Sequence, residues 1–121
     1  MAEKMVLVAD DEKDLVMVIK DFLESEGFKV VTASNGEEAL NRFFEFKPAL
    51  VLLDLAMPKL DGISVLEKIK SHTPGANVAI ITAYRDAEKI VKAFRLGAVD
   101  CIFKPFDIAN IREIVKKYLN K

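Results

Sequence analysis

The stretch LVLLDLAMPKLDG spans Leu50 to Gly62. Four apolar residues, Leu50 to Leu53, run without alternation and stop at Asp54. An unbroken apolar run of this length, followed by the turn residues Pro58 and Gly62, reads as a strand covered on both faces. Such a strand ends on a carboxylate only where a negative charge has a use, because an unpaired buried charge is costly.

Four more apolar runs lie on either side. Met5–Ala9 (MVLVA), Lys29–Ala33 (KVVTA), Val78–Ile81 (VAII) and Cys101–Phe103 (CIF) read as strands, with Ala49–Leu53 (ALVLL) the third in chain order. A helical pattern follows each. After the first strand, Leu15, Val18, Ile19, Phe22 and Leu23 form an amphipathic stripe that Gly27 ends. Ser34 or Asn35 can cap a helix bearing Ala39, Leu40 and Phe43, which Pro48 stops. Phe43, Phe44 and Phe46 cannot all share its buried face, so at least one is expected to be exposed. The third helix is predicted over 63–71 with Ile63, Leu66 and Ile69 inward, the fourth from Asp86 to Gly97, and the fifth after a cap at Asp107 with Ile111, Ile114, Val115 and Tyr118 inward.

Strand and helix therefore alternate five times with short connections. Strands one, three and four lack period-2 alternation, as expected of a parallel sheet with helices on both sides. The repeat is too short for an eight-fold barrel. The predicted fold is α/β: a five-stranded parallel, doubly wound (βα)5 sheet of flavodoxin-like order 2-1-3-4-5.

Bulk properties narrow the function. The chain has 121 residues, 51% of them hydrophobic, which suits one domain with a full core. A net charge of -1 gives no electrostatic reason to bind nucleic acid or an anionic membrane. No apolar run approaches the roughly 18 residues of a membrane span, and the N-terminus does not have the pattern of a signal peptide. The single cysteine, Cys101, excludes an internal disulfide and fits a reducing cytoplasm, the expected location.

In open α/β sheets, ligands bind beyond the carboxyl ends of the strands. Those ends carry Asp10 and Asp11, Asp54, Thr82 and Lys104. The predicted strand order brings three carboxylates onto one rim, where they repel unless a cation sits among them. Oxygen-only ligands favour a hard ion such as Mg²⁺ (or Mn²⁺). With the Lys104 ammonium and the Thr82 hydroxyl added, the rim suits a phosphoryl group attacked in line by a carboxylate oxygen. Taken singly, Asp10 and Asp11 read as helix caps, Thr82 as a strand-end threonine and Lys104 as a surface lysine. Their joint placement is what carries the chemistry.

The motifs VADDE, LLDLAMPKLDG, ITAY and FKPF, in this order and spacing, make the chain resemble the response-regulator receiver domains, the CheY-like family, from about Met5 to Leu119. The ending FKPFDIANIREIVKKYL is similar to the single-domain regulator of the sporulation phosphorelay and to receivers of the nitrogen-regulation type. The resemblance implies that Asp54 accepts a phosphoryl group from a sensor histidine kinase or phosphotransfer protein and so switches binding to a downstream protein target. It implies Asp11 and Asp54 as direct metal ligands, Asp10 through water, and the Ala56 backbone carbonyl as a further ligand. It implies phosphoryl contacts from Thr82 and Lys104, a cis Lys104–Pro105 peptide, and kinase docking on Leu15, Val18, Pro105 and Phe106. The competing reading for Leu15 and Val18 is plain core.

The resemblance also implies a phosphoacceptor rather than an enzyme, with Mg²⁺-dependent self-phosphorylation. In the family, the residues two after the acceptor and two after the threonine govern loss of the phosphoryl group. Here they are Ala56 and Tyr84, neither of which holds a water as a carboxylate or amide would, so slow self-dephosphorylation is expected. One position departs from the pattern: Cys101 stands where the family carries an aromatic three residues before the lysine, and a thiol is too small to swing inward as that ring does. Cys101 itself reads as a small core residue. His72 reads as a solvated turn residue.

Two other classes fit less well. A metal-dependent aspartyl-phosphate phosphohydrolase wants an acid two residues after its nucleophile, where Ala56 stands. A flavodoxin-like cofactor binder wants a Gly/Ser/Thr-rich loop after strand one, where DDEKD would repel phosphate. Residues 1–121 are read as one receiver domain, monomeric or weakly dimeric. It is expected to be either a whole single-domain protein, as its start and end favour, or a receiver cut from a longer DNA-binding regulator.

Overall fold

The computed structural model describes residues 4–83 and 87–119. Its elements run β1 (Met5–Ala9), α1 (Lys13–Ser25), β2 (Lys29–Ala33), α2 (Gly36–Phe46), β3 (Leu50–Asp54), α3 (Gly62–His72), β4 (Val78–Ala83), α4 (Ala87–Arg95), β5 (Asp100–Lys104) and α5 (Ile108–Leu119). The five strands pair in parallel in the order β2-β1-β3-β4-β5, as predicted. The three non-alternating strands, β1, β3 and β4, are the interior ones. The outer strands β2 and β5 keep partly exposed positions, which is why their sequences are more mixed. Among the described residues no helix is long and apolar enough to cross a membrane.

Alternate residues of each inner strand enter two separate cores. Leu7, Val51, Leu53 and Ile80 meet Phe43 of α2, Leu66 and Ile69 of α3, and Ala93 of α4. Val6, Val8, Leu50, Leu52 and Ile81 meet Ile19 and Leu23 of α1 and Ile111 and Val115 of α5. Leu23 and Ile19 are fully buried. Truncating either to Ala would cost about 2–5 kcal/mol.

The stripe predicted on α1 is corrected. Val18 is 58% exposed, and Val16 takes the buried place beside Ile19 and Leu23, with Leu15 and Phe22 half-buried at the edge. Five consecutive apolar residues, Leu15 to Ile19, offer the sheet two possible faces, and packing against the sheet and α5 selects the one through Val16. The caps fall mostly where the residue types suggest. Asn35 accepts from the Glu38 N–H at 2.9 Å and Asp61 from the Ser64 N–H at 2.9 Å. At α5 the Asn110 side chain reaches back and accepts from the Asp107 N–H at 3.2 Å. Gly27 takes φ +92° after α1. Of the aromatics on α2, Phe43 is buried while Phe44 and Phe46 are exposed.

Candidate functional site

Strand register assembles the site. Ala9 pairs with Leu53, so Asp10 and Asp54 are the next residues along two neighbouring strands. Asp54 pairs with Ile81, which puts Thr82 one step beyond it on β4, and Lys104 pairs with Ala83 at the end of β5. Asp54, predicted to follow the third strand, is its last residue, and Thr82 lies within β4 rather than after it. Asp10, Asp54 and Thr82 are buried at 1%, 4% and 3% exposure, while Asp11 is exposed.

Each buried carboxylate is anchored by the backbone. Asp10 Oδ1 accepts from the Glu12 N–H at 2.9 Å, and Asp54 Oδ1 accepts from the Ala56 N–H at 3.0 Å. The outward oxygens face Lys104, whose Nζ lies 3.1 Å from Asp54 Oδ2 and 3.1 Å from Asp10 Oδ2. Its shortest contact, 2.7 Å, goes to Glu12 Oε1. Thr82 Oγ1 donates weakly to the Ala83 carbonyl at 3.3 Å, a bond it gives up at little cost. The Lys104–Pro105 peptide is cis, as the resemblance implies.

The electrostatics are those of an acid cluster around one cation. Burial, and then the negative charge of Asp54, push the Asp10 carboxyl up to about 6, against the Glu12 N–H and Lys104, which pull it down. Burial alone would lower the Lys104 ammonium, but its contacts with the Glu12, Asp54 and Asp10 carboxylates outweigh that and hold it above the usual lysine range.

A cation fits here. Ligand oxygens of Asp10, Asp11 and Asp54 lie within 4.8 Å of one another. Asp10 Oδ2 is buried and receives no hydrogen bond of acceptable angle, its Lys104 contact being one of charge alone. An orphaned buried carboxylate oxygen in an all-oxygen donor set suits a hard divalent ion.

The other candidates fall around this rim or away from it. Ala56 is exposed beside Asp54. Pro105 is exposed, and Phe106 and Leu15 are half-buried against the core under α1 and α5. Tyr84 lies outside the described residues. Cys101 is half-buried opposite Ile80, with its thiol pushed up to about 11 by burial and by Asp100, which suits an inert core thiol. His72 is exposed at the end of α3, 3.0 Å from Thr73 Oγ1 and edge-on to Phe44. A recess of about 600 Å³ beside it, among Phe43, Lys47, Pro48 and Asn77, opens at the amino ends of β3 and β4, away from Asp54. Size alone therefore does not mark the chemistry.

Two contributors escaped the sequence reading. Glu12 was visible only as the last letter of VADDE, and its partner is 92 residues away. Gly62 read as a loop marker, yet a Cβ there would lie 2.5 Å from the Asp54 carbonyl oxygen.

Comparison with known proteins gives the family. Residues 6–116 match the family model described as response regulator receiver domain. Sporulation initiation phosphotransferase F of Bacillus subtilis is 37% identical over 119 residues, covering 98% of this chain and 96% of that protein. Regulatory protein AtoC of Escherichia coli is 37% identical over 114 residues, which is 94% of this chain and 25% of AtoC, so the chain spans only a quarter of that relative. The solved structure of response regulator protein TrrA from Thermotoga maritima, in complex with Mg²⁺-BeF, superposes with a TM-score of 0.86 at 35% identity, covering 96% of this chain and 99% of that one.

Proposed function

The chain belongs to the response regulator receiver domain family, and from that membership we propose that Asp54 is the phosphoacceptor, with Asp10, Asp11, Asp54 and the Ala56 carbonyl holding Mg²⁺ or Mn²⁺, and Thr82 and Lys104 receiving the phosphoryl oxygens. The observation that carries the reading is the pairing of a carboxylate 4% exposed with an ammonium 3.1 Å away, at the end of an interior strand. A bound divalent ion supplies charge neutralisation for the incoming phosphoryl oxygens. Everything else falls to the chain. The Ala56 N–H fixes the Asp54 carboxylate, Lys104 offsets charge on the other side, and burial keeps competing water away. The Thr82 hydroxyl, engaged only by a long bond, is free to turn toward an oxygen arriving next to it. The Mg²⁺-BeF complex of the Thermotoga maritima relative supports a metal in this pocket.

The donor is a sensor histidine kinase or phosphotransfer protein that docks on Leu15, Val18, Pro105 and Phe106. Val18 and Pro105 are exposed and Leu15 and Phe106 are half-buried against one core, which supports an apolar contact there. The phosphorylated form then engages a downstream protein target. The test is incubation with Mg²⁺ and a small acyl phosphate, read by intact mass. One phosphoryl group should be added and lost again in Asp54→Asn. Stable, undiminished labelling of that variant would sink the assignment.

A further inference from the structure

Glu12 is the N-cap residue of α1, but its side chain makes no cap hydrogen bond. Ser, Thr, Asp and Asn are favoured at that position because they cap. Glu12 instead reaches 2.7 Å to Lys104 Nζ while its side chain stays 60% exposed.

An ammonium has three N–H bonds to give. Three carboxylate oxygens surround this one, those of Glu12, Asp10 and Asp54, at 2.7, 3.1 and 3.1 Å. Lys104 donates to Glu12 and Asp54, while Asp10 Oδ2 meets it by charge alone, so an arriving phosphoryl oxygen competes with these carboxylates for the ammonium. Asp10 and Asp54 are buried, with their other oxygens held by the N–H groups of Glu12 and Ala56. Glu12 is the partner that water can take over on release.

We infer that Glu12 is a positioning residue: it holds Lys104 in the resting state and competes for it with an incoming phosphoryl group, so it slows the phosphorylation of Asp54. The inference rests on the phosphoacceptor reading of Asp54. In the step concerned, an Asp54 carboxylate oxygen bonds to phosphorus as the donor's phosphorus–oxygen bond breaks, and the donor's acyl group leaves as a carboxylate with the bonding pair. Glu12 opposes this twice, as the competing partner of Lys104 and as a negative charge at the rim where an anionic donor arrives.

The experiment compares wild type with Glu12→Ala, using acetyl phosphate in Mg²⁺ buffer at low salt and following both label uptake on Asp54 and its decay after the donor is removed. Removing one charge about 5 Å from the reacting group corresponds to about fourfold faster uptake. The gain should collapse near 1 M salt, where charges at this exposed rim are screened. Decay should stay within about twofold of wild type, because Glu12 has already let go in the phosphorylated state. A purely structural role for Glu12 would produce no salt-dependent gain. Glu12→Gln, which keeps the side-chain length, is read in the same way should Glu12→Ala melt early. Uptake no faster than wild type, or decay shifted as much as uptake, overturns the inference alone. No label on Asp54 in the wild type overturns the phosphoacceptor reading and this inference with it.

Discussion

Gly62 lies directly against the backbone of Asp54. A Cβ on Gly62 would stand 2.5 Å from the Asp54 carbonyl oxygen and 2.5 Å from Leu55 Cα, and the Gly62 N–H donates to the Leu55 carbonyl at 3.0 Å. The first turn of α3 is thereby clamped onto the strand end that carries Asp54. Both contacts are with backbone, which cannot swing aside as a side-chain tip does. Gly62→Ala is expected to cost about 3 kcal/mol, the upper end for overpacking, and to displace the Asp54 carboxylate. Denaturant unfolding measures the first effect, and the rate of labelling by a small acyl phosphate the second. Stability and rate both at wild-type levels would mean that the loop yields.

Asp10 gives the fold a pH dependence. Its carboxyl is raised from 3.8 to about 6, chiefly by burial and then by Asp54. A carboxyl raised on folding binds its proton more tightly in the native state. Its contribution is therefore present below about pH 4 and lost as pH rises through 6, the reverse of a salt-bridged acid. Asp10→Asn removes that loss. Without divalent ions, the variant should be more stable than wild type by about 1–3 kcal/mol at pH 7 to 8, with the advantage shrinking toward pH 4. Saturating Mg²⁺ should narrow the gap, since it stabilises only a chain that binds it well. Thermal melts across pH with and without Mg²⁺ measure this, and equal melting temperatures throughout would count against the buried charge cluster.

Much of this was legible in the sequence because burial leaves its mark on residue type. Strands β1, β3 and β4 show no alternation since both faces are covered, and that alone points to a parallel sheet and to their interior places. Asp10, Asp54, Thr82 and Lys104 could be placed because strand ends and strand order determine who meets whom. Periodicity could not tell Val16 from Val18, as a run of five apolar residues satisfies more than one face. Glu12 and Gly62 act through contacts with Lys104 and with the Asp54 backbone, and no local pattern encodes those distances. The Asn110 contact with the Asp107 N–H went unread because a cap can be built from either end of the first turn.

The lifetime of the phosphoryl group should be long. Ala56 is exposed beside Asp54, and its methyl group cannot orient a water for attack on phosphorus. Tyr84, two residues after Thr82, has no carboxylate or amide to do so either. Introducing both missing groups, with Ala56→Asn and Tyr84→Glu together, should speed decay of the labelled protein by about tenfold. An unchanged decay rate in a normally folded double variant would show that water access is controlled elsewhere.

Docking of the phosphodonor is best tested at Val18. Leu15 and Phe106 are half-buried against the core under α1 and α5, so Leu15→Ala and Phe106→Ala mix lost contact with lost stability, about 1–2 kcal/mol each. Val18 is 58% exposed with Met17 at 55% next to it, so Val18→Ala should change stability by less than about 0.5 kcal/mol. On the proposed docking, a histidine phosphodonor brings its own apolar surface to this patch to reach Asp54, whereas a small acyl phosphate needs only the rim. Val18→Ala should therefore slow transfer from the cognate kinase several-fold, in keeping with about 1 kcal/mol for an apolar contact at an interface, and leave labelling by the acyl phosphate at the wild-type rate. Equal slowing with both donors would place Val18 in support of the active site. No slowing with either would move the kinase's footprint off this face of α1.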